Sequence, residues 1–327
     1  MRAAQRILVL IAAVVSLVLV LPRELAPPNN PRIVTDHVGR QVPVPPRIGK
    51  VYATTESGSM LVYALDPNLL AGWNTDLSPT WQFVLGEKAQ SLPVLGTWNQ
   101  VYKTANLDRI AALQPDIVLH VAVPDLPTLE LVDQVETELG IPTVVVDGSL
   151  EAIPQALRFV GELLGPQVRA DILALYAENI LTSLSSLRQV LPANARAYVV
   201  GDTAKTDLAD CLGTAGIIRT DTGRNRPDMV LIIPDSIRDL RRELEKDGPA
   251  DIAPLLADGK AYELPTVPTN WLTPGSLFRL LGIEWLASKA YPTLYPVDLV
   301  SRFEEFMEVF YEVKLPEKVA EITLGGT

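Results

Sequence analysis

Cysteine is almost missing from this chain. Of 327 residues only Cys211 carries a thiol, so no intrachain disulfide can form and the fold must be held by its apolar cores. In its run Leu208-Ala209-Asp210-Cys211-Leu212 that thiol reads as a small packing group. Histidine is nearly as scarce: there are 2, His37 and His120, without the spacing of a zinc site or the acid neighbour a Ser-His-Asp triad requires. No Gly-x-Gly-x-x-Gly or Gly-Lys-Ser/Thr run is present to cradle phosphates, and Ser57-Gly58-Ser59 lacks the Gly-x-Ser-x-Gly elbow. Positive charge is short as well. With 28 Lys and Arg against 39 Asp and Glu, the formal net charge is -11, which excludes a phosphate-neutralising surface and a nucleic-acid partner. A non-catalytic protein without cofactor or resident metal is expected.

What the chain does have is apolar content, 48% of its residues, enough for two cores of about 100 to 150 residues each. Its first thirty residues stand apart: Arg2 and Arg6 precede the apolar run 7–21, broken only by Ser16, and a proline-rich stretch follows. At 1.5 Å per residue that run reaches roughly 22 Å, short of a ~30 Å hydrocarbon core, so an export signal is expected. No Ala-x-Ala cleavage site is present, Leu25-Ala26 being followed by Pro27, so retention as an N-terminal anchor stays open.

From Arg47 onward, short branched apolar runs (51–54, 69–73, 92–95, 117–121, 143–146) alternate with helix-length segments (57–65, 79–89, 107–113, 127–139). Repeated βα units of this kind build an open parallel sheet covered on both faces. After a helix at 152–164, residues 167–191 place Val168, Ile172, Tyr176, Ile180, Leu184, Leu187 and Leu191 on one face of a rod of roughly 38 Å, a connector. The βα pattern then restarts. Pro227-Asp228-Met229-Val230-Leu231-Ile232 repeats Pro115-Asp116-Ile117-Val118-Leu119-His120 at a distance of 112 residues, which predicts two similar lobes. The expected organisation is an export signal or anchor at 1–30, an α/β lobe at 31–149, a helical connector at 150–192 and a second α/β lobe at 193–327. Two helices at 274–289 and 297–312 are expected to pack within the second lobe.

In open parallel sheets, ligands bind beyond the carboxyl ends of strands. That rule selects Thr54-Thr55-Glu56, Trp73-Asn74, Gly96-Thr97-Trp98, His120, Gly201-Asp202-Thr203 and Pro268-Thr269-Asn270-Trp271. Trp98, Trp271 and Tyr102 are loop aromatics that could stack on a flat or greasy ligand. Thr55, Glu56, His120, Asp202 and Asn270 are the polar candidates, while His37 is expected to face solvent.

Several of these segments, in this order, resemble the helical-backbone (class III) substrate-binding proteins that feed ABC importers for ferric siderophores, haem and cobalamin. The resemblance spans most of 33–315. It is carried by the Asp36-x-x-Gly39-Arg40 lead-in, the block 96–119, the connector, Gly259-Lys260-Ala261-Tyr262 leading to Trp271, and Leu281-Gly282-Ile283-Glu284-Trp285-Leu286-Ala287 before Tyr291-Pro292. It implies two Rossmann-like lobes joined by one long helix, a metal chelate held in the cleft between them, a monomer, an exported location, and docking to a membrane permease through an acid on each lobe. Asp108, in Asn106-Leu107-Asp108-Arg109, holds the first-lobe position. The stretch 216–227 is shorter than the family's, and no residue in it is assigned the second-lobe docking role. An alternative is a membrane-tethered sensory or scaffolding protein that kept the fold without transport.

Overall fold

The computed structural model describes residues 30–204, 206–220, 226–234, 239–315 and 320. The export segment, apart from residue 30, and residues 221–225 of the short stretch lie outside the described residues.

The chain enters through a hairpin of β1 (Arg32–Thr35) and β2 (Gln41–Val44), closed by Gly39 at φ 82. The Asp36 carboxylate accepts from the Val38 and Arg40 amides, and the Arg40 guanidinium reaches on to the Thr143 carbonyl at 2.5 Å. The Asp-x-x-Gly-Arg lead-in is therefore a self-capped turn bolted to the neighbouring sheet.

That sheet is parallel, in the order β3 (Val51–Ala53), β4 (Ile117–Ala122), β5 (Thr143–Asp147). Four helices cover it: α1 (Glu56–Leu65), α2 (Pro79–Gln90), α3 (Leu107–Leu113) and α4 (Leu126–Leu139). Each starts on a residue whose side chain accepts an amide three positions on, from Thr55, Ser78, Asn106 and Asp125 respectively. Such caps satisfy donors a helix start leaves free, each stabilising by about 1 kcal/mol. Two expected strands, 69–73 and 92–95, form only single bridges, Val51 with Leu70 and Trp73 with Val94. Pro93 has no amide to give to a ladder, which limits pairing there.

Two helices then pack antiparallel, α5 (Ile153–Leu164) and the 24-residue α6 (Gln167–Val190). The connector is present, but the upper half of its expected stripe is wrong. Val168 and Ile172 are exposed, and the buried face is Ala170, Leu173, Ala174 and Ala177, running into Ile180, Leu184 and Leu187. Small residues win because α5 approaches so closely that a Cβ on Gly161 would sit 2.2 Å from that of Ala170.

The second sheet is also parallel, in the order β7 (Ile217–Arg219), β6 (Ala195–Val200), β8 (Met229–Ile232), β9 (Ala261–Glu263). Helices α7 (Leu208–Thr214), α8 (Leu240–Asp247) and α9 (Ala253–Ala257) accompany it. The Pro-Asp repeat has one physical meaning in both sheets. Asp116 accepts from the Gly49 and Lys50 amides at 2.7 and 2.9 Å, and Asp228 accepts from the Arg196 amide at 2.9 Å. In each case the carboxylate clamps the start of the adjacent strand and fixes its register.

The last helices, α10 (Arg279–Ala290) and α11 (Leu299–Tyr311), correct a second expectation. They pack on both lobes rather than on the second alone: Tyr311 and Phe278 each meet Trp81 edge-on, and Phe306 and Phe310 meet Tyr176 of the connector. One apolar cluster consequently runs from Val42 and Val44 through Ile180 and Leu184 to Phe306 and Phe310. Smaller clusters around Val118 with Ile110, and around Val230 with Leu244, fill the outer faces of the two sheets.

The Gly161 contact can be tested by a pair of substitutions. Gly161→Ala should destabilise by about 1 to 3 kcal/mol through overpacking, against the helix propensity of alanine. Gly213→Ala, in α7 with nothing within 4 Å of a new Cβ, should instead be neutral or stabilising by up to about 1 kcal/mol. Urea midpoints compare the two; equal effects would remove the close approach as the cause.

Candidate ligand cleft

Between the lobes lies a cavity of about 160 Å³. At one probe sphere per water, this is room for roughly ten waters. The first lobe lines it with Glu56, Ser57 and Met60 from the start of α1 and with residues 73–78 and Trp81 leading into α2; the second lobe adds Pro268, Thr269, Thr273 and Ser276. Both groups of first-lobe residues sit where a strand end hands over to a capped helix, as the strand-end rule predicts.

Hydrogen bonds fix the walls. Asn74 is 3% exposed, donates to the Ala53 and Gly96 carbonyls at 2.8 and 3.1 Å, and accepts from the Ser59 hydroxyl, so it ties neighbouring strand ends together. The Thr75 hydroxyl donates to Glu56 Oε1 at 2.7 Å, holding that carboxylate at the rim. Ser57 donates across the lobes to the Pro274 carbonyl at 2.8 Å. Behind them Arg279, 1% exposed, pairs with Asp207 and donates to the Gly148 carbonyl at 2.5 Å and the Ser276 carbonyl at 3.1 Å. A buried guanidinium with three partners joins both lobes behind the cavity.

Of the residues singled out in the sequence, Glu56 lines the cavity and Thr55 caps the helix beneath it. Trp98 and Trp271 do not offer their rings to it. Trp98 is 1% exposed in the outer core of the first sheet, with Lys103 Nζ 3.7 Å from its ring centroid. Trp271 is fully buried, donates to the Val267 carbonyl and packs against Phe303. Sitting in a loop does not expose a large ring when a core can take it. Tyr102 is exposed but lies away from the cavity lining. Asn270 and Asp202 serve as turn caps, accepting from the Leu272 and Ala204 amides. Asp108 is exposed in the first turn of α3.

His120 is also displaced from its expected position. It is fully buried within β4, its Nδ1 2.6 Å from the Thr54 hydroxyl and its Nε2 without a partner. Burial pulls its pKa down to about 4, with Asp125 opposing and Arg40 assisting. A neutral core imidazole results, not a lining residue. His37 is half-buried rather than solvent-facing: it accepts from the Asp147 amide at 2.8 Å and packs on Phe159, and burial lowers its pKa against the pull of Asp147 and Asp36. Cys211 is buried and its thiol pushed up, as a packing residue should be.

Sequence reasoning missed Asp76, Ser78, Trp81, Thr273 and Ser276. Ser78-Pro79 was a readable helix start, and following the loop from Asn74 to that cap would have found the first two, with Trp81 in the first turn of the helix beyond it. Nothing local marked Thr273 and Ser276.

The sequence matches no protein-family model and no curated protein. Solved structures do match. An ABC transporter solute binding protein from Sulfurospirillum deleyianum aligns with a TM-score of 0.76 at 22% identity, over 89% of this chain and 98% of that one. A periplasmic solute binding protein from Veillonella parvula gives 0.71 at 20% identity, over 90% and 97%. The molybdate periplasmic binding protein of Haemophilus influenzae, solved with molybdate, gives 0.66 at 20% identity, over 87% and 99%. The chain has the two-lobed fold of these helical-backbone binding proteins.

The buried imidazole sets an acid limit on that fold. Unfolded, His120 takes up its proton near the ordinary value of 6.5; folded, only near 4. Between those values the unfolded state binds more protons, so stability falls as pH falls. From pH 7 to about 4.5 the His120 share of that loss is about 2.5 kcal/mol, and His37 acts in the same direction. Urea unfolding of His120→Gln should show a loss smaller by about that amount; identical pH dependence in the two proteins would show that this imidazole titrates alike in both states.

Proposed function

We propose that this chain is an exported, non-catalytic receptor that captures a metal chelate between its lobes and delivers it to an ABC importer. The reading is supported chiefly by one observation: a cavity walled by residues from both lobes, at the strand ends where this fold presents loops and helix starts. The fold shared with solute-binding proteins agrees with it. In this reading residues 1–30 direct export, 31–149 and 193–327 are the two walls, 150–192 is the strut, and the protein acts as a monomer.

Asp108 is the residue we assign to permease docking, because it is exposed and sits on the first-lobe helix start. Asp108→Arg should abolish uptake by a reconstituted cognate importer while leaving ligand affinity unchanged. A loss of affinity would instead make Asp108 part of the binding face. The tethered, non-transporting alternative rests on the apolar run 7–21, which lacks an Ala-x-Ala site, and on the shortened stretch 216–227. Intact mass of the exported protein separates the two, a mature start near residue 29 favouring the free receptor.

The receptor reading is tested by thermal shift against ferric siderophores, haem, cobalamin, cobinamide and molybdate. A ligand at 100 times its Kd stabilises by about 2.7 kcal/mol, or roughly 5 to 10 °C for lobes of this size. A hit supports the receptor and gives its ligand class; a flat response across the panel counts against it.

A further inference from the structure

We infer that the cavity selects a solute whose inserted group is positively charged. The inference rests on the receptor reading and specifies its substrate class. Two full negative charges line the space, Glu56 and Asp76, and among the described residues no Lys, Arg or His lines it. Apart from the Asn74 amide and the indoles of Trp73 and Trp81, the remaining polar side chains are hydroxyls, those of Ser57, Thr75 and Ser78 from the first lobe and of Thr269, Thr273 and Ser276 from the second.

Two helix starts also point toward this space, α1 and α2, and their dipoles favour an anion. Each is equivalent to roughly half a positive charge at its end. Two carboxylates against two half charges leave about one net negative charge at the wall. The caps weaken the dipoles' claim further, because Thr55 and Ser78 already occupy an amide of each first turn. An oxyanion would meet carboxylates without a compensating cation, which like-charge repulsion makes costly. A cationic group would meet Glu56 held in place by Thr75, the indole of Trp81 at 7% exposure, and hydroxyls able to accept. The chain's net charge of -11 draws the same sign of solute from solution.

The size of the space limits what enters. Room for roughly ten waters takes a compact cationic group, such as an alkylammonium arm, with the bulk of a chelate left in the open cleft. The two carboxylates lack the His or Cys partners that would make the site a trap for a bare transition metal.

A matched pair of probes isolates the charge: ferrioxamine B, whose free ammonium arm is cationic, and its N-acetyl derivative, the same chelate without that charge. Titrated onto the full chain by tryptophan emission, ferrioxamine B should bind about tenfold tighter than the acetylated form. In Glu56→Gln with Asp76→Asn the two should bind alike, with the melting temperature of the empty protein unchanged. Ferric enterobactin and molybdate, both anionic, should bind more weakly than either. Equal binding of the matched pair by the wild-type protein, or tighter binding of an anion, overturns the charge selection and leaves the receptor standing. Silence of a folded protein toward every probe overturns the selection and the metal-chelate receptor together.

Discussion

The two walls of the cleft are held by one buried cation. Arg279 lies at the first turn of α10, its guanidinium closed off from water, with Asp207 of the second lobe on one side and the Gly148 carbonyl at the end of the first sheet on the other. An unpaired charge in that position would cost several kcal/mol, so the three segments must stay together for the fold to exist. Only a planar, forked donor can serve two such partners and the Ser276 carbonyl at once, a geometry lysine cannot reproduce. Gly148 belongs to the same constraint, since a Cβ there would meet the Ala122 backbone at 3.2 Å.

Around that joint the apolar core does what the charge alone could not. The terminal helices insert Phe278, Phe306, Phe310 and Tyr311 against Trp81 of the first lobe and Tyr176 of the connector, so the core does not stop at a lobe boundary. The cavity is then a gap left where the two capped helix starts of the first lobe face the 268–276 loop of the second across this shared interior. Its first-lobe wall is set by strand-to-helix handovers, and its polarity by the two carboxylates and the hydroxyls that line it.

The fold was largely legible in the chain because its signals are local. Alternating branched runs and capped helical segments give the parallel sheets, and the Pro-Asp repeat reports a carboxylate that clamps a neighbouring strand in each lobe. The cleft was legible only in part. Strand ends pointed to Glu56 and Thr269, yet Ser57 meets Pro274 across 217 positions of sequence, and no window along the chain contains that contact. The tryptophans misled for the same reason: whether a loop ring faces a cleft or a core depends on which distant residues lie beneath it, Phe303 for Trp271 and Ile110 with Val118 for Trp98. His120 shows a further limit, since its position at a strand end suggested access while the alternation of the strand turned it inward, beneath the outer helices.

A core continuous through both halves also decides how such a molecule can announce that it is full. Proteins that swing shut about a flexible hinge offer a partner two shapes, and the partner reads the shape. Here the interior that would have to shear is packed aromatic against aromatic, with a glycine-alanine seam in the strut and a sequestered ion pair at the joint. If the cleft takes a solute as proposed, the difference between empty and occupied is thereby confined to the rim: the loops at the cleft mouth and whatever part of the solute stands proud of it. A partner that distinguishes the two states must touch that rim, and the cargo itself becomes part of the surface it reads.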